Sequence, residues 1–356
     1  MNYIVSALKY RPQKFEEVVG QQAVTNTLKN AIAKDHLAQA LLFTGPRGVG
    51  KTTCARILAK EINKAEGLTH EEDFAFNIFE LDAASNNSVD DIRNLIEQVR
   101  IPPQIGKYKV YIIDEVHMLS TQAFNAFLKT LEEPPAHAVF ILATTEKHKI
   151  IPTILSRCQI YDFKRISAFD IKEHLKKIVA QEGLEAEEEA LFLIAQKADG
   201  ALRDALSLFD KVASYSDGKI TRKIVSESMS ILDYDAYFKT VDLLLQNDIP
   251  GVLNFFNELL QKGFDGHQFV AGLAGHLRDL LVAKEPQTVA LLEMSDSIKE
   301  QYLNQSKAVD LPFLMRALEL TTETDINYKL SKNPHLLVEL TLMKLASLST
   351  DEAKKK

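Results

Sequence analysis

The sequence predicts an α/β domain on a mostly parallel, five-stranded sheet, followed by a small helical domain and then an all-helical bundle. Three observations carry this. Between about residues 25 and 163, short apolar runs alternate with helical patterns, as in a parallel sheet with crossover helices. A glycine-rich loop lies between the first apolar run and the helix that follows it. From residue 166 onward no strand-like alternation appears, and apolar residues recur at helical spacing. The 356 residues are enough for two or three domains with cores of their own.

Composition narrows the class. Hydrophobic residues make up 46% and charged residues 26%, as in an ordinary soluble globular protein. A net charge of −7 argues against coating nucleic acid by bulk charge, although a local basic patch survives that average. Only two cysteines occur, Cys54 and Cys158, which points to a reducing compartment and no disulfide framework. The start, Met1–Ser6, lacks the basic and apolar regions of a secretion signal, and no apolar run approaches the roughly 18 residues of a membrane span. The expected location is the cytoplasm.

Taken in order, Tyr10-Arg11-Pro12 opens an ordered segment that ends at Val18-Val19-Gly20. A helix is expected from about Thr25 to His36, with Leu28 and Ile32 on one face. Leu41, Leu42 and Phe43 form a buried strand. Gly45-Pro46-Arg47-Gly48-Val49-Gly50-Lys51-Thr52 then fits G-x-x-x-x-G-K-[ST], with a helix carrying Ala55, Ile57, Leu58 and Ile62 behind it. Glycines allow backbone N–H groups to approach phosphate oxygens, and the helix N-terminus adds partial positive charge. Lys51 can reach the β- and γ-phosphates of a nucleoside triphosphate, and Thr52 can place its hydroxyl on Mg²⁺.

Residues 64–77 are polar and acidic and read as a connection; Ile78–Asp82 is a short strand, and a helix begins at Asp90-Asp91 and stops at Pro102-Pro103. The run Val110–Ile113 ends in Asp114 and Glu115. In open α/β sheets the carboxyl ends of strands are where ligands sit. Asp114 there can bind Mg²⁺ directly or through water, and Glu115 can polarise an attacking water as general base. His117 is given no chemistry, because a lone histidine is more often structural. A helix over about Thr121–Leu131 ends at Pro134-Pro135. The strand Val139–Thr145 ends in hydroxyls that either hold water or a γ-phosphate oxygen or simply satisfy backbone groups. A last strand, Gln159–Phe163, follows Ser156-Arg157-Cys158.

Beyond 166, Ser167–Asp170 resembles a capping box, and helices are expected to Gly183, over Glu187–Lys197 and over 200–214. Arg203 lies in the first turn of the third helix, where the dipole disfavours a cation. It either meets an anion such as ATP or is exposed beside Asp204 or Asp210. Six further helices, over 234–246, 250–262, 265–283, 295–307, 311–327 and 334–348, suggest an antiparallel bundle, with wide apolar faces such as Leu243–Leu245 and Phe255-Phe256.

The phosphate loop, Asp-Glu at a strand end, Thr-Thr on the next strand, the Ser-Arg-Cys motif and a helical lid together resemble an AAA+ ATPase. The stretches Lys9–Gln21, Gly45–Thr53, Glu80–Arg93, Lys109–Ser120, Ala123–Pro135 and Ile154–Cys158 are more specific, and resemble the gamma/tau family of bacterial DNA polymerase III, the motor of the clamp loader. The resemblance spans essentially the whole chain, strongly over 5–215 and weakly in the bundle. It implies an AAA+ core over 1–165, a lid over 166–222, an oligomerising collar over 223–350 and a tail or linker start over 351–356. Tyr10, Arg11, Pro12, Val18 and Val19 would line the adenine pocket. Gly45, Gly48, Val49, Gly50, Lys51, Thr52 and Thr53 would hold ATP, with Thr52 and Asp114 on Mg²⁺ and Glu115 as the base. Thr145 would be the first sensor and Arg203 the second, and Arg157 would act in the neighbouring subunit as an arginine finger.

The implied partners are copies of this chain and delta- and delta-prime-type subunits in a pentameric ring, the sliding clamp and primer–template DNA, within the DNA polymerase III holoenzyme. No membrane partner is expected. Two departures stand out. The family often carries a four-cysteine zinc module, but residues 62–78 contain no cysteine, so no zinc site is expected. Tau forms also extend past the collar, so a chain ending at Lys356 is expected to be a gamma-like form or a cut piece.

Overall fold

The computed structural model describes residues 4–64, 77–104, 106–229, 232–285, 287–292, 294 and 296–353. Two compact units divide it, one through Lys211 and one from Val212.

The first unit is built on five strands: β1 (Ala40–Thr44), β2 (Ile78–Asp82), β3 (Lys109–Asp114), β4 (Ala138–Thr144) and β5 (Gln159–Asp162). Their spatial order is β2-β3-β4-β1-β5, and every neighbouring pair is parallel. Successive side chains of a strand point to opposite faces, so each apolar run feeds two cores. Leu41, Phe43, Val110, Ile112, Val139 and Ile141 pack on one face. Leu42, Tyr111, Ile113, Phe140 and Leu142 pack on the other. This is why the central runs are continuously apolar rather than alternating: β1 and β4 are buried at every position.

A short N-terminal helix, α1 (Ser6–Lys9), comes first. Helices α2 (Gln22–Ala33) and α3 (Lys51–Lys64) supply the first face with Leu28, Ile57 and Leu58. Helices α4 (Val89–Val99) and α5 (Thr121–Glu132) supply the second with Ile92, Phe124 and Phe127. The ring of Phe127 meets Phe140 edge-on at 5.2 Å. After the four-residue helix α6 (Pro152–Leu155) and β5 come α7 (Ala168–Glu182), α8 (Glu188–Lys197) and α9 (Leu202–Tyr215). Ser167 caps α7 by accepting the Asp170 N–H, and Gly183 in the left-handed region ends it.

The second unit holds α10 (Arg222–Ser228), α11 (Tyr234–Leu245), α12 (Ile249–Gln261), α13 (Gly266–Ala283), α14 (Asp296–Ala308), α15 (Leu311–Tyr328) and α16 (Pro334–Ala353). Its core includes Leu244, Phe256, Phe269, Leu277, Leu314 and Leu342. The expected apolar faces are used there: Leu244 and Phe256 are buried, and Leu243, Leu245 and Phe255 pack against them. Buried polar groups sit among them, His276 the bulkiest of those described. His276 Nδ1 lies 2.7 Å from the Tyr302 hydroxyl, and Nε2 lies 3.1 Å from Gln305 Oε1.

Several boundaries differ from expectation. Helix α2 ends three residues before His36, because Asp35 takes a left-handed conformation. Strands β3 and β4 end at Asp114 and Thr144, so Glu115 and Thr145 lie just past them. The region after 166 is not purely helical: Glu185–Ala186 and Lys219–Ile220 are two-residue strands, too short to show as alternation. Helix α10 lies in the stretch read as helical in pattern but was not delimited there; Thr221 caps it by accepting the Ile224 N–H. The last helix runs to Ala353, into the stretch expected to be tail, where Glu352 and Ala353 favour helix. The connection expected over 64–77, and with it the zinc-free stretch, falls almost wholly outside the described residues. No helix among the described residues is long and apolar enough to cross a membrane.

Candidate functional site

The strand order builds the site. β4 lies between β1 and β3, so the loop after β1, the hydroxyls after β4 and the carboxylates after β3 follow one another along a single sheet edge. Gly45 starts the loop at φ 141°, and a Cβ there would lie 2.3 Å from the Phe163 carbonyl oxygen, so no other residue fits. The Gly45 N–H donates to the Thr144 carbonyl at 3.3 Å, which ties the loop to the end of β4.

Lys51 opens α3 and is buried. Its ammonium donates to the carbonyls of Gly45 and Pro46 at 2.8 and 2.7 Å. Burial lowers its pKa, and the carboxylates of Glu115 and Asp114 oppose that shift. The Thr52 hydroxyl donates to Asp114 Oδ2 at 2.6 Å, bringing the residue after the loop to the end of β3. A hydroxyl beside a carboxylate is the hard-oxygen donor set that Mg²⁺ accepts, so these two residues fit the ion. Thr53 follows, half-buried on the same helix.

Glu115 has φ 47°, a strained conformation for a non-glycine residue, costing on the order of 1 kcal/mol. Asp114 Oδ1 stabilises the turn by accepting the Glu115 N–H at 2.9 Å. The turn swings the Glu115 side chain toward β4. There its Oε2 accepts from the Thr145 hydroxyl at 2.9 Å and the Thr145 N–H at 3.3 Å. Lys51, Thr52, Asp114, Glu115 and Thr145 are therefore brought together.

The adenine-side residues and the lid flank the loop. Val18 is buried, and a Cβ on Gly50 would lie 4.0 Å from its Cγ1; Val19 and Pro12 are half-buried. Val49 is buried inside the loop. The Tyr10 hydroxyl donates to Glu182 of α7 at 2.5 Å, and Ser6 N–H donates to Asp210 of α9 at 2.8 Å. Arg203 is exposed, and its backbone N–H donates to the Gly48 carbonyl at 3.3 Å. A Cβ on Gly48 would lie 3.1 Å from Ala201 and 3.3 Å from Arg203, so glycine lets the start of α9 rest on the loop. Arg11 lies within electrostatic range of Arg203 and Arg56. Desolvation lowers its pKa, these cations add to that, and Glu80 opposes it. Arg203 is exposed, as the alternative reading beside Asp204 or Asp210 expected, and Asp210 accepts from Ser6.

Arg157 stands apart. It precedes β5, at the amino edge of the sheet, whereas the loop is at the carboxyl edge. Roughly 10 Å of strand separates the edges. Its guanidinium pairs with Glu132 at the end of α5 and donates to the Thr153 carbonyl at 2.7 Å.

Two residues at the site escaped the sequence reading. Gln21 is buried and donates to the Val49 and Lys164 carbonyls at 3.4 and 2.7 Å, joining the N-terminal segment to the loop. It closes the stretch Lys9–Gln21 that carries the resemblance, but nothing local in the sequence shows its two carbonyl partners. His117 lies between Glu115 and Glu146, its Nδ1 3.0 Å from the Thr144 hydroxyl. Its position two residues after the Asp-Glu pair was the available signal.

Three family models match successive parts of the chain: "DNA polymerase III, delta subunit" over 20–167, "DNA polymerase III clamp loader subunit, ATPase lid domain" over 170–218, and "DNA polymerase III subunits gamma and tau domain III" over 220–356. DNA polymerase III subunit gamma of Buchnera aphidicola subsp. Baizongia pistaciae is 34% identical, with 98% of each chain covered. The chain belongs to the gamma/tau family of DNA polymerase III. The tau subunits of Bacillus subtilis and Escherichia coli are each 39% identical, over 99% and 80% of this chain. This gamma/tau chain spans 65% of the first and 46% of the second. A Thermotoga maritima RuvB structure matches with TM-score 0.51 at 22% identity, over 67% of this chain and 80% of that one, which shows the shared AAA+ fold.

Proposed function

We propose that this gamma/tau-family chain is an ATPase motor subunit of a clamp loader, which uses ATP binding and hydrolysis to load a sliding clamp onto primer–template DNA. One observation carries the reading. A complete hydrolytic half-site, Lys51, Thr52–Asp114 and Glu115–Thr145, lies on one sheet edge, while Arg157 lies on the opposite edge. An arginine so placed cannot serve its own loop, and it suits the loop of a neighbouring copy. A subunit that merely holds nucleotide would not need both Lys51 and Glu115.

In the mechanism, the loop amides from Gly45 to Gly50 and the Lys51 ammonium bind the triphosphate. Tyr10, Arg11, Pro12, Val18 and Val19 enclose the base. Thr52 and Asp114 would hold Mg²⁺, which neutralises phosphate charge when bound. Glu115 accepts a proton from the attacking water and Thr145 fixes the carboxylate that does so. Arg203 reports phosphate occupancy from the lid, and the neighbour's Arg157 stabilises charge on the transferred group. ATP occupancy thereby becomes a property of the interface between subunits.

The partners are further copies, delta- and delta-prime-type subunits in a five-membered ring, the clamp and DNA, all in the cytoplasm. DNA contact would run mainly through backbone amides and a few basic side chains on phosphates, which suits an acidic chain. The proposed division is a core over 1–165, a lid over 166–222 and a collar over 223–350. Steady-state ATPase of the reconstituted loader tests the reading. Clamp plus DNA should stimulate turnover, chelating Mg²⁺ should abolish it, and Glu115→Gln should lower kcat by about 100-fold or more while ATP still binds. No stimulation, or full activity in Glu115→Gln, would sink it.

A further inference from the structure

His117 takes no part in the mechanism above, yet its side chain is only 6% exposed and both ring nitrogens face partners. It sits on the single turn Val116–Met118 that follows Glu115, and that turn is closed by the Met118 N–H donating to the Glu115 carbonyl at 2.8 Å. Nδ1 is 3.0 Å from Thr144 Oγ1 and 3.4 Å from Glu115 Oε2. Nε2 is 3.3 Å from Glu146 Oε1. Glu146 is itself fixed: its carboxylate pairs with Lys149 at 2.9 Å, and its N–H donates to Thr144 Oγ1 at 3.0 Å.

We propose that His117 is a positioning residue for Glu115: the ring links the Glu115 carboxylate to the Thr144–Glu146 corner beyond β4 and so fixes the plane of the general base. The proposal rests on Glu115 being that base. Glu115 reaches its place from a left-handed backbone through a long, flexible side chain. Without His117, its Oε2 would be held by two donors of the same residue, Thr145, and the carboxylate could swing about that point. A contact from a second element removes the swing. Nε2 faces a carboxylate oxygen of Glu146 at 3.3 Å. Nδ1 shares the Thr144 hydroxyl and borders Oε2, so the ring can move in neither direction. The 3.4 Å contact is weaker than the Thr145 hydrogen bonds and acts by direction rather than strength. A base misplaced by an ångström keeps its substrate but loses rate.

The test uses the reconstituted loader with ATP as substrate. Changing His117→Ala should lower kcat by about 10- to 100-fold, with KM and ATP affinity within about twofold of wild type. His117→Asn should recover most of the rate, because its amide can meet the same two partners from the place of Nδ1. Glu146→Gln, at a half-exposed position that folding tolerates, should lower kcat by several-fold through loss of the ring's anchor. Glu115→Gln is the control. If it is inactive while His117→Ala turns over normally, the positioning role is wrong. If His117→Ala loses ATP affinity and thermal stability along with rate, and Asn restores none of them, the residue is structural and the proposal fails. If Glu115→Gln stays active, the assignment of the base falls first and the proposal falls with it.

Discussion

Among single residues, two buried bases, Lys51 and His276, meet opposite demands. Lys51 meets burial, which lowers its pKa, with two loop carbonyls that accept from its ammonium and two carboxylates that oppose the shift. His276, in the core of the second unit, has only neutral partners in Tyr302 and Gln305, and burial pushes its pKa from 6.5 down to about 4. The sign follows directly. Between those values the unfolded chain takes up a proton that the folded chain refuses, so acidification destabilises the fold. The loss should be on the order of 2–3 kcal/mol by pH 4.5 relative to pH 7. Urea midpoints of wild type and His276→Gln at the two pH values check this; the variant should lack that part of the slope. Lys51 could be read from the sequence, because its neighbours are fixed by a local motif. The partners of His276 lie 26 and 29 residues away, and of those of His117 only Glu115 is local, Thr144 and Glu146 lying at and beyond the end of β4, so neither environment could be read in full.

For strands and helices, most types were legible and most ends were not. β1, β3 and β4 declare themselves as apolar runs because both faces of each are covered. Their last residues depend on tertiary hydrogen bonds. The turn of Glu115 out of β3 is held by the Asp114 carboxylate, which hydrophobic periodicity does not register. The cap read at Ser167–Asp170, where both partners are local, is formed, whereas the one at Ser88 was not read. Ser88 and Asp91 form a full capping box at the start of α4, each side chain meeting the other's backbone N–H. Replacing Ser88→Ala should therefore cost about 1 kcal/mol, read as a lower thermal midpoint with ATP affinity unchanged. A cost below about 0.3 kcal/mol would mean that packing of Ile92 and Leu95 alone sets this helix.

In the molecule as a whole, the placement of Arg157 on the edge away from its own loop makes function collective under the proposed reading. Arg157→Ala should bind ATP normally and lower the stimulated rate by about 1000-fold. A variant carrying both Lys51→Ala and an intact Arg157 should restore turnover when mixed into rings with Arg157→Ala, because each supplies what the other lacks. Absence of complementation would mean that the arginine acts within its own chain. The change from strands to helices near residue 166 was legible from periodicity, whereas the boundary between the two compact units, after Lys211, was not. The spatial order of the strands was not, because nothing in a strand's own residues names its neighbours. That order also bears on how the protein is made. β1 emerges first from the ribosome but pairs with the two strands made last, β4 and β5. At about 5–20 residues per second, the wait from Thr44 to Asp162 is on the order of ten seconds. Throughout it, a mostly apolar five-residue strand is synthesised but lacks its partners, so the nascent chain stays exposed to aggregation until β5 seals the strand behind the loop.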